Sequence, residues 1–103
     1  MSDLKIEDLI IDFDFFDNWE DKYKYIIELG KNFPSLNEEE KNNDNKVDGC
    51  ASQVWLIIKK EKIGDKIILK FRGDSDALLV KGLVVILFSI FSEKSPDEII
   101  KID

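Results

Sequence analysis

No histidine occurs anywhere in this chain of 103 residues. That absence removes the Ser-His-Asp arrangement, the Cys-His pair and most zinc sites. Cys50 is the only cysteine. No intramolecular disulfide can therefore form, and thiolates alone cannot close a zinc or iron–sulfur site. A single free thiol fits a reducing compartment, and a cytoplasmic location is expected. Gly30, Gly49, Gly64, Gly73 and Gly82 stand isolated, so no glycine-rich phosphate loop is present. Arg72 is the only arginine. The longest apolar run, Ala77 to Phe91, spans 15 residues and is interrupted by Lys81. A membrane span needs about 20, so the run reads as a buried core helix. The start, Met1-Ser2-Asp3-Leu4-Lys5, lacks the basic-then-apolar order of a signal peptide, and Asp3, Glu7 and Asp8 speak against a transit peptide.

Acid dominates what is present. The net charge is −7, with 22 carboxylates against 15 cations. Phosphate backbones and anionic membrane surfaces are repelled by such a surface, so neither is expected as a partner. The 44% hydrophobic and 36% charged content is that of a soluble globular domain. One domain is expected over residues 1–103, without staples.

Ile6, Leu9, Ile10 and Phe13 are spaced for one face of a helix. Asp17-Asn18-Trp19-Glu20 reads as a second helix start, with Asp17 capping and Glu20 reaching back. That helix is expected to bury Trp19, Tyr23, Ile26 and Ile27 and to stop at Gly30. Residues 34–46 read as a polar, solvated surface loop, with one helical turn at 37–41. Val54–Lys60 and Ile67–Arg72 are rich in β-branched and aromatic residues and flank Gly64-Asp65, a β-hairpin pattern with a loop longer than two residues. Asp74 or Ser75 is expected to cap the long apolar helix. Ser95-Pro96-Asp97-Glu98 starts a short last helix at about 96–101. The order predicts an α+β fold, a small antiparallel sheet covered on one face by helices.

The carboxylates all have explanations as caps or surface, and no glycosidase-like pair stands out. Cys50 remains. It is either a small buried hydrophobe, the common fate of a free cysteine, or a reactive thiol. Two features weigh toward the thiol. Gly49 permits a tight turn that projects its neighbour. Asp48, Ala51, Ser52 and Gln53 are small or polar, unlike a strand centre. Cys50 thus stands at a loop-to-strand junction, where functional side chains often sit.

Three blocks, covering nearly the whole chain, resemble the SufE family of sulfur-acceptor proteins in iron–sulfur cluster assembly. They are Trp19–Lys31 (WEDKYKYIIELGK), Val47–Trp55 (VDGCASQVW) and Asp74–Leu83 (DSDALLVKGL). The resemblance implies a fold similar to IscU-type scaffolds without their metal-ligand set. It implies that Cys50 takes the terminal sulfur of a persulfide from a pyridoxal-phosphate-dependent (SufS-like) cysteine desulfurase. The chain would hold it as its own persulfide and pass it to a SufBCD-like scaffold complex. It would also stimulate the desulfurase, acting as a sulfurtransferase-like carrier with no cofactor of its own. Family members usually continue past the equivalent of Asp103 into a Ser-Pro-Ser-Arg segment and a terminal helix. Without these, apolar surface of the 77–91 helix is expected to lie uncovered.

Sulfur relay is thiol–disulfide exchange with a persulfide in place of a disulfide. An ordinary thiol, with a pKa of about 8.5, is only a few per cent ionised at neutral pH. Activation is expected from the desulfurase, with Lys46 and Arg72 as the internal cations available. Gly49 is expected to let the loop swing Cys50 outward, and Ser52 and Gln53 to donate hydrogen bonds to a persulfide anion. Trp55 is expected in the core. Asp74 and Lys81 are expected at the partner surface. Two rival readings remain open: a non-catalytic docking module with Cys50 as filler, and a thiol redox sensor.

Overall fold

The structure, a computed structural model, describes residues 5–102. Met1–Leu4, part of the segment read for a leader, lie outside the described residues. The elements run α1 (Ile6–Phe15), α2 (Trp19–Asn32), β1 (Val54–Ile63), β2 (Lys66–Ser75), α3 (Leu78–Phe91) and α4 (Pro96–Ile100). The fold is α+β, an antiparallel hairpin against which helices pack. No helix among the described residues is long and apolar enough to cross a membrane.

Helix α1 turns Leu9 inward, with Ile6 and Phe13 half-buried beside it. Ile10, expected on the same face, is exposed. One residue is about 100° of helix rotation, enough to carry Ile10 off that face. Tyr25 donates from its hydroxyl to Asp12 at 3.0 Å and ties α1 to α2. Burial, followed by that bond, pushes the Tyr25 hydroxyl up to about 12.

The cap of α2 is Asn18 rather than Asp17. Its Oδ1 accepts from the Asp21 amide at 2.9 Å. Asp21, not Glu20, thereby takes the third helical position, and Glu20 pairs with Lys24 along the helix surface. Ile26 is buried and Ile27 half-buried, but Trp19 and Tyr23 are exposed. They continue the face of Ile26 and Gly30 beyond the region that α3 covers. Gly30 does not stop the helix, which runs on to Asn32. It serves backbone approach instead. A Cβ on Gly30 would stand 2.5 Å from the Leu78 carbonyl oxygen, and one on Gly82 would overlap the Ile26 carbonyl oxygen. Helices α2 and α3 thus meet glycine to glycine, closer than side chains allow.

The hairpin is longer than expected. Its register runs from Val54↔Ser75 to Ile63↔Lys66, so the loop is the two residues Gly64-Asp65. Only Gly64 of that pair has a positive φ, +61°, the pattern of a II′ turn with glycine first. In β2, Ile68 is buried and Ile67 exposed. Phe71 stacks on Phe88 of α3 at 5.6 Å, and Phe33 joins at 5.8 Å. Both sheet edges are partly paired. Val47 donates to Val54 and Leu56 donates to Asn45, each at 2.8 Å, along β1. Leu69 and Lys94 bridge along β2.

No side chain caps α3, whose N-cap residue is Ala77. Asp74 and Ser75 end β2 instead and are buried there. Helix α4 starts as expected, with Ser95 and Glu98 in a reciprocal capping box behind Pro96. Burial opposes the charge of Glu98 only weakly. The Lys66 contact and the Ser95 bonds hold its carboxyl down to about 2.

The polar 34–46 segment is not simply solvated. Leu36 is buried, and Glu40 takes both Arg72 nitrogens at 2.6 and 2.9 Å. Lys41 stands 5.7 Å over the Trp55 ring. The segment is strapped across the base of the hairpin because its charges find partners on β1 and β2. Residues 37–41 form a hydrogen-bonded turn rather than a helix, with Asn37 and Glu40 bonding each other.

Candidate functional site: the Cys50 loop

Cys50 is a free, exposed thiol. It sits in the connection between the 45–47 edge segment and β1. Upstream, the Val47 amide donates to the Val54 carbonyl at 2.8 Å. Downstream, Gln53 is gripped on both peptide groups. Its amide donates to Asp76 Oδ1 at 3.0 Å, and its carbonyl accepts from the Ser75 hydroxyl at 2.7 Å. The Asp76 amide also donates to that carbonyl, at 3.2 Å. Residues 48–52 make no backbone hydrogen bond among the described residues. The thiol therefore rides the tip of a short hoop whose two feet are fixed.

Gly49 holds φ +84°. Nothing lies within 4 Å of where its Cβ would be. The glycine is required by backbone conformation, not by crowding, because other residues reach this region only at a cost. Ser52 is half-buried and Gln53 exposed. Gln53 enters the site through its backbone, the anchor of the hoop. Val54 and Trp55, the next two residues, are buried and root the hoop in the core.

Behind the hoop lies a buried charge cluster. Asp74 is 3% exposed and Lys81 4%. Lys81 Nζ stands 3.3 Å from Asp74 Oδ1 and donates to Ser35 Oγ at 2.9 Å. Asp74 Oδ2 accepts from the Leu36 amide at 3.0 Å, and Oδ1 from the Ser75 amide at 2.9 Å. Lys41 Nζ approaches Oδ2 at 3.6 Å. Burial pushes the Asp74 carboxyl up, but the two amides and Lys81 outweigh it and hold the group below its ordinary range.

Two expectations are corrected here. Asp74 and Lys81 are buried within this chain rather than exposed on its surface. Each carries a charge that burial would penalise alone, so they neutralise each other inside. Arg72, with Lys46 one of the two internal cations considered for the thiol, is forked onto Glu40. The bidentate pair balances its charge locally. Lys46 is exposed and makes no ion pair among the described residues.

Ser75 and Asp76 anchor the hoop; Ser75 reads from the sequence only as a helix cap, and Asp76 carries no expectation of its own. Their signal was surplus: three successive capping-type residues, Asp74-Ser75-Asp76, precede a helix that can use one. No cluster of three or more metal-ligating side chains occurs among the described residues. A cleft of about 550 Å³ opens between Phe33, Phe71, Phe88 and Arg72, and no hoop residue lines it.

The family model SufE, described as an Fe-S metabolism associated domain, matches residues 7–103. An uncharacterized SufE-like protein of Rhizobium meliloti is 49% identical over 98 residues, which are 95% of this chain and 70% of that protein. An uncharacterized SufE-like protein of Rhizobium etli is 48% identical over 98 residues, 95% of this chain and 66% of that protein. The chain thus spans roughly two thirds of the length of these relatives. With the thiol hoop, its anchors and the crossed glycines falling inside the matched span, the chain belongs to the SufE family, whose domain is associated with Fe-S metabolism.

Proposed function

We propose that the chain is a sulfur acceptor and carrier working through Cys50. One observation carries the reading. The sole thiol is exposed on a hoop that is free over residues 48–52 and pinned at both ends. A thiol so placed can enter another protein's site without the core having to open. The donor is a SufS-like cysteine desulfurase, whose pyridoxal phosphate chemistry leaves a persulfide on its own cysteine. The acceptor is a SufBCD-like scaffold complex in the cytoplasm.

The Cys50 thiolate attacks the outer sulfur of the donor persulfide in line. A new sulfur–sulfur bond forms at Cys50 as the donor's own breaks. The electron pair of that bond leaves on the donor thiolate, which takes up a proton. No oxidant is consumed. Clearing the donor's persulfide stimulates the desulfurase. Proton removal from Cys50 falls to the partner's site, since no group among the described residues hydrogen-bonds the sulfur. Gly49 lets the hoop swing outward, and Ser52 and Gln53 side chains then donate to the persulfide anion.

The test is intact-mass analysis after incubation with a cysteine desulfurase, pyridoxal phosphate and cysteine. A gain of about 32 Da on Cys50, one sulfur atom by the exchange above, is expected. Absence of the adduct with an active desulfurase overturns the proposal. A Cys50→Ser variant is expected to keep the fold and lose stimulation. Stimulation equal to the parent's would favour a docking module instead.

A further inference from the structure

The outer edge of β1 is covered along only part of its length. Val54 accepts there from the Val47 amide, and the Leu56 amide donates to Asn45. In an antiparallel ladder every second residue turns its peptide group away from the paired strand. Ile58, Lys60 and Lys62 therefore point outward as Val54 and Leu56 do. Their backbones bond no further segment among the described residues, and all three are exposed. The edge of β2 is different. Leu69, opposite Lys60 in the register, donates to the Lys94 carbonyl and accepts from the Glu93 amide, each at 2.8 Å.

The side chains along the open edge sort by face. The register puts Ile58, Lys60 and Lys62 on one face and Ile57, Lys59, Glu61 and Ile63 on the other. Lys60 and Lys62 make no ion pair among the described residues. On the opposite face Glu61 is taken by Lys70. Ile57 is half-buried and Ile63 is 56% exposed, with Lys59 between them. One face thus offers unpaired ammonium groups, and the other offers apolar surface.

An open strand edge is a template for a further strand. Lysines along it oppose pairing with an identical edge, because like charges would stand opposite each other. The same lysines suit a strand that carries carboxylates. The net charge of −7 repels such a strand from afar. At about 0.1 M salt, however, the Debye length is ~10 Å, far shorter than the 44 Å long axis of the molecule. The adjacent lysines then outweigh remote carboxylates.

We propose that residues 58–62 of β1 accept an extended acidic segment of a partner protein as an added strand. Its backbone bonds the outward peptide groups of Ile58, Lys60 and Lys62. Its carboxylates lie beside Lys60 and Lys62 on one face, and its alternate, apolar residues beside Ile57 and Ile63 on the other. The site lies toward the end of β1 remote from the Cys50 hoop and does not depend on the sulfur-carrier reading.

The experiment is amide hydrogen exchange of the whole chain, read by NMR. The probe is a synthetic peptide of about seven residues, alternating glutamate and valine with blocked ends, long enough to span the open edge. Exchange at Ile58, Lys60 and Lys62 is expected to slow about tenfold when roughly 90% of the chain is bound. Exchange at Lys59 and Glu61, whose amides face β2, is expected to change little. Two control peptides are expected to give no protection. One has lysine in place of glutamate and so the wrong charge. The other is the acidic peptide N-methylated throughout, which keeps its charge and loses its donors. Lys60→Glu with Lys62→Glu is expected to reverse the preference, so that the lysine peptide protects Ile58 and the acidic one does not. No protection by the acidic peptide, equal protection by either control, or a preference unmoved by the double reversal overturns the proposal. So does protection without peptide that grows with protein concentration, the mark of a second copy on this edge.

Discussion

Lys81 Nζ lies 3.3 Å from Asp74 Oδ1 in the interior, joining the first turn of α3 to the last residues of β2. The pair also reaches the segment after α2, through Ser35 and Leu36. Three stretches distant in sequence are thereby fixed behind the thiol hoop.

Removing one partner leaves the other charge buried alone. Lys81→Met is expected to lower stability by about 3 kcal/mol, the low end for breaking a buried pair, since Lys41 still faces Asp74. Urea unfolding followed by tryptophan fluorescence measures it. A loss below about 1 kcal/mol, the range of exposed pairs, would contradict this account.

Gly82→Ala tests the helix crossing. Alanine favours an isolated helix by about 1 kcal/mol, yet here its Cβ would overlap the Ile26 carbonyl oxygen. The overlap is expected to win, with a net loss of about 2 kcal/mol as the helices separate. A thermal melt that rises instead would show that α2 and α3 are not in backbone contact.

Gly49→Ala should behave differently. The space beside Gly49 is open, so only the φ of +84° opposes the methyl group. A cost of about 1 kcal/mol is expected, or a reshaped hoop tip with the core intact. Amide shifts confined to residues 47–53 in NMR spectra would verify it. Under the proposed function, desulfurase stimulation falls with the altered thiol position.

The Glu98 carboxyl, held down to about 2, gives the last helix a pH dependence. Its unfolded value is 4.5. The contribution is whole above 4.5 and is lost as pH falls through about 2, because the protonated acid neither pairs with Lys66 nor accepts from Ser95. The side-chain carbon resonance of Glu98 is expected to titrate near 2. A midpoint near 4.5 would mean that the capping box and the Lys66 contact do not form in solution.

Much of this molecule was legible in sequence order alone. The hairpin, the Ser95 capping box and the exposed thiol follow from local chemistry: β-branched runs about a glycine, a cap with its reciprocal acid, a glycine beside a cysteine. What stayed hidden was set by distant contacts. Asp74 reads as a cap because nothing local announces Lys81 and the Leu36 amide. Gly30 reads as a stop because nothing local announces Gly82. Arg72 reads as free because Glu40, 32 residues away, lies in a stretch that composition marks as solvated. Ser75 and Asp76 belong to the same class, their partner being the backbone of Gln53. Trp19 and Tyr23 failed in the opposite sense. Their periodicity was right, but the covering helix does not extend that far.

The turn beside the thiol carries a consequence of handedness. At Gly49 the chain bends in the sense natural to mirror-image amino acids. A D-alanine installed there by chemical ligation has the backbone preference this turn requires and narrows the freedom of the unfolded chain. It should therefore stabilise the fold where its L-twin disturbs it. The two enantiomers, identical in composition and differing at one carbon beside the sulfur, separate the shape of the hoop from its chemistry.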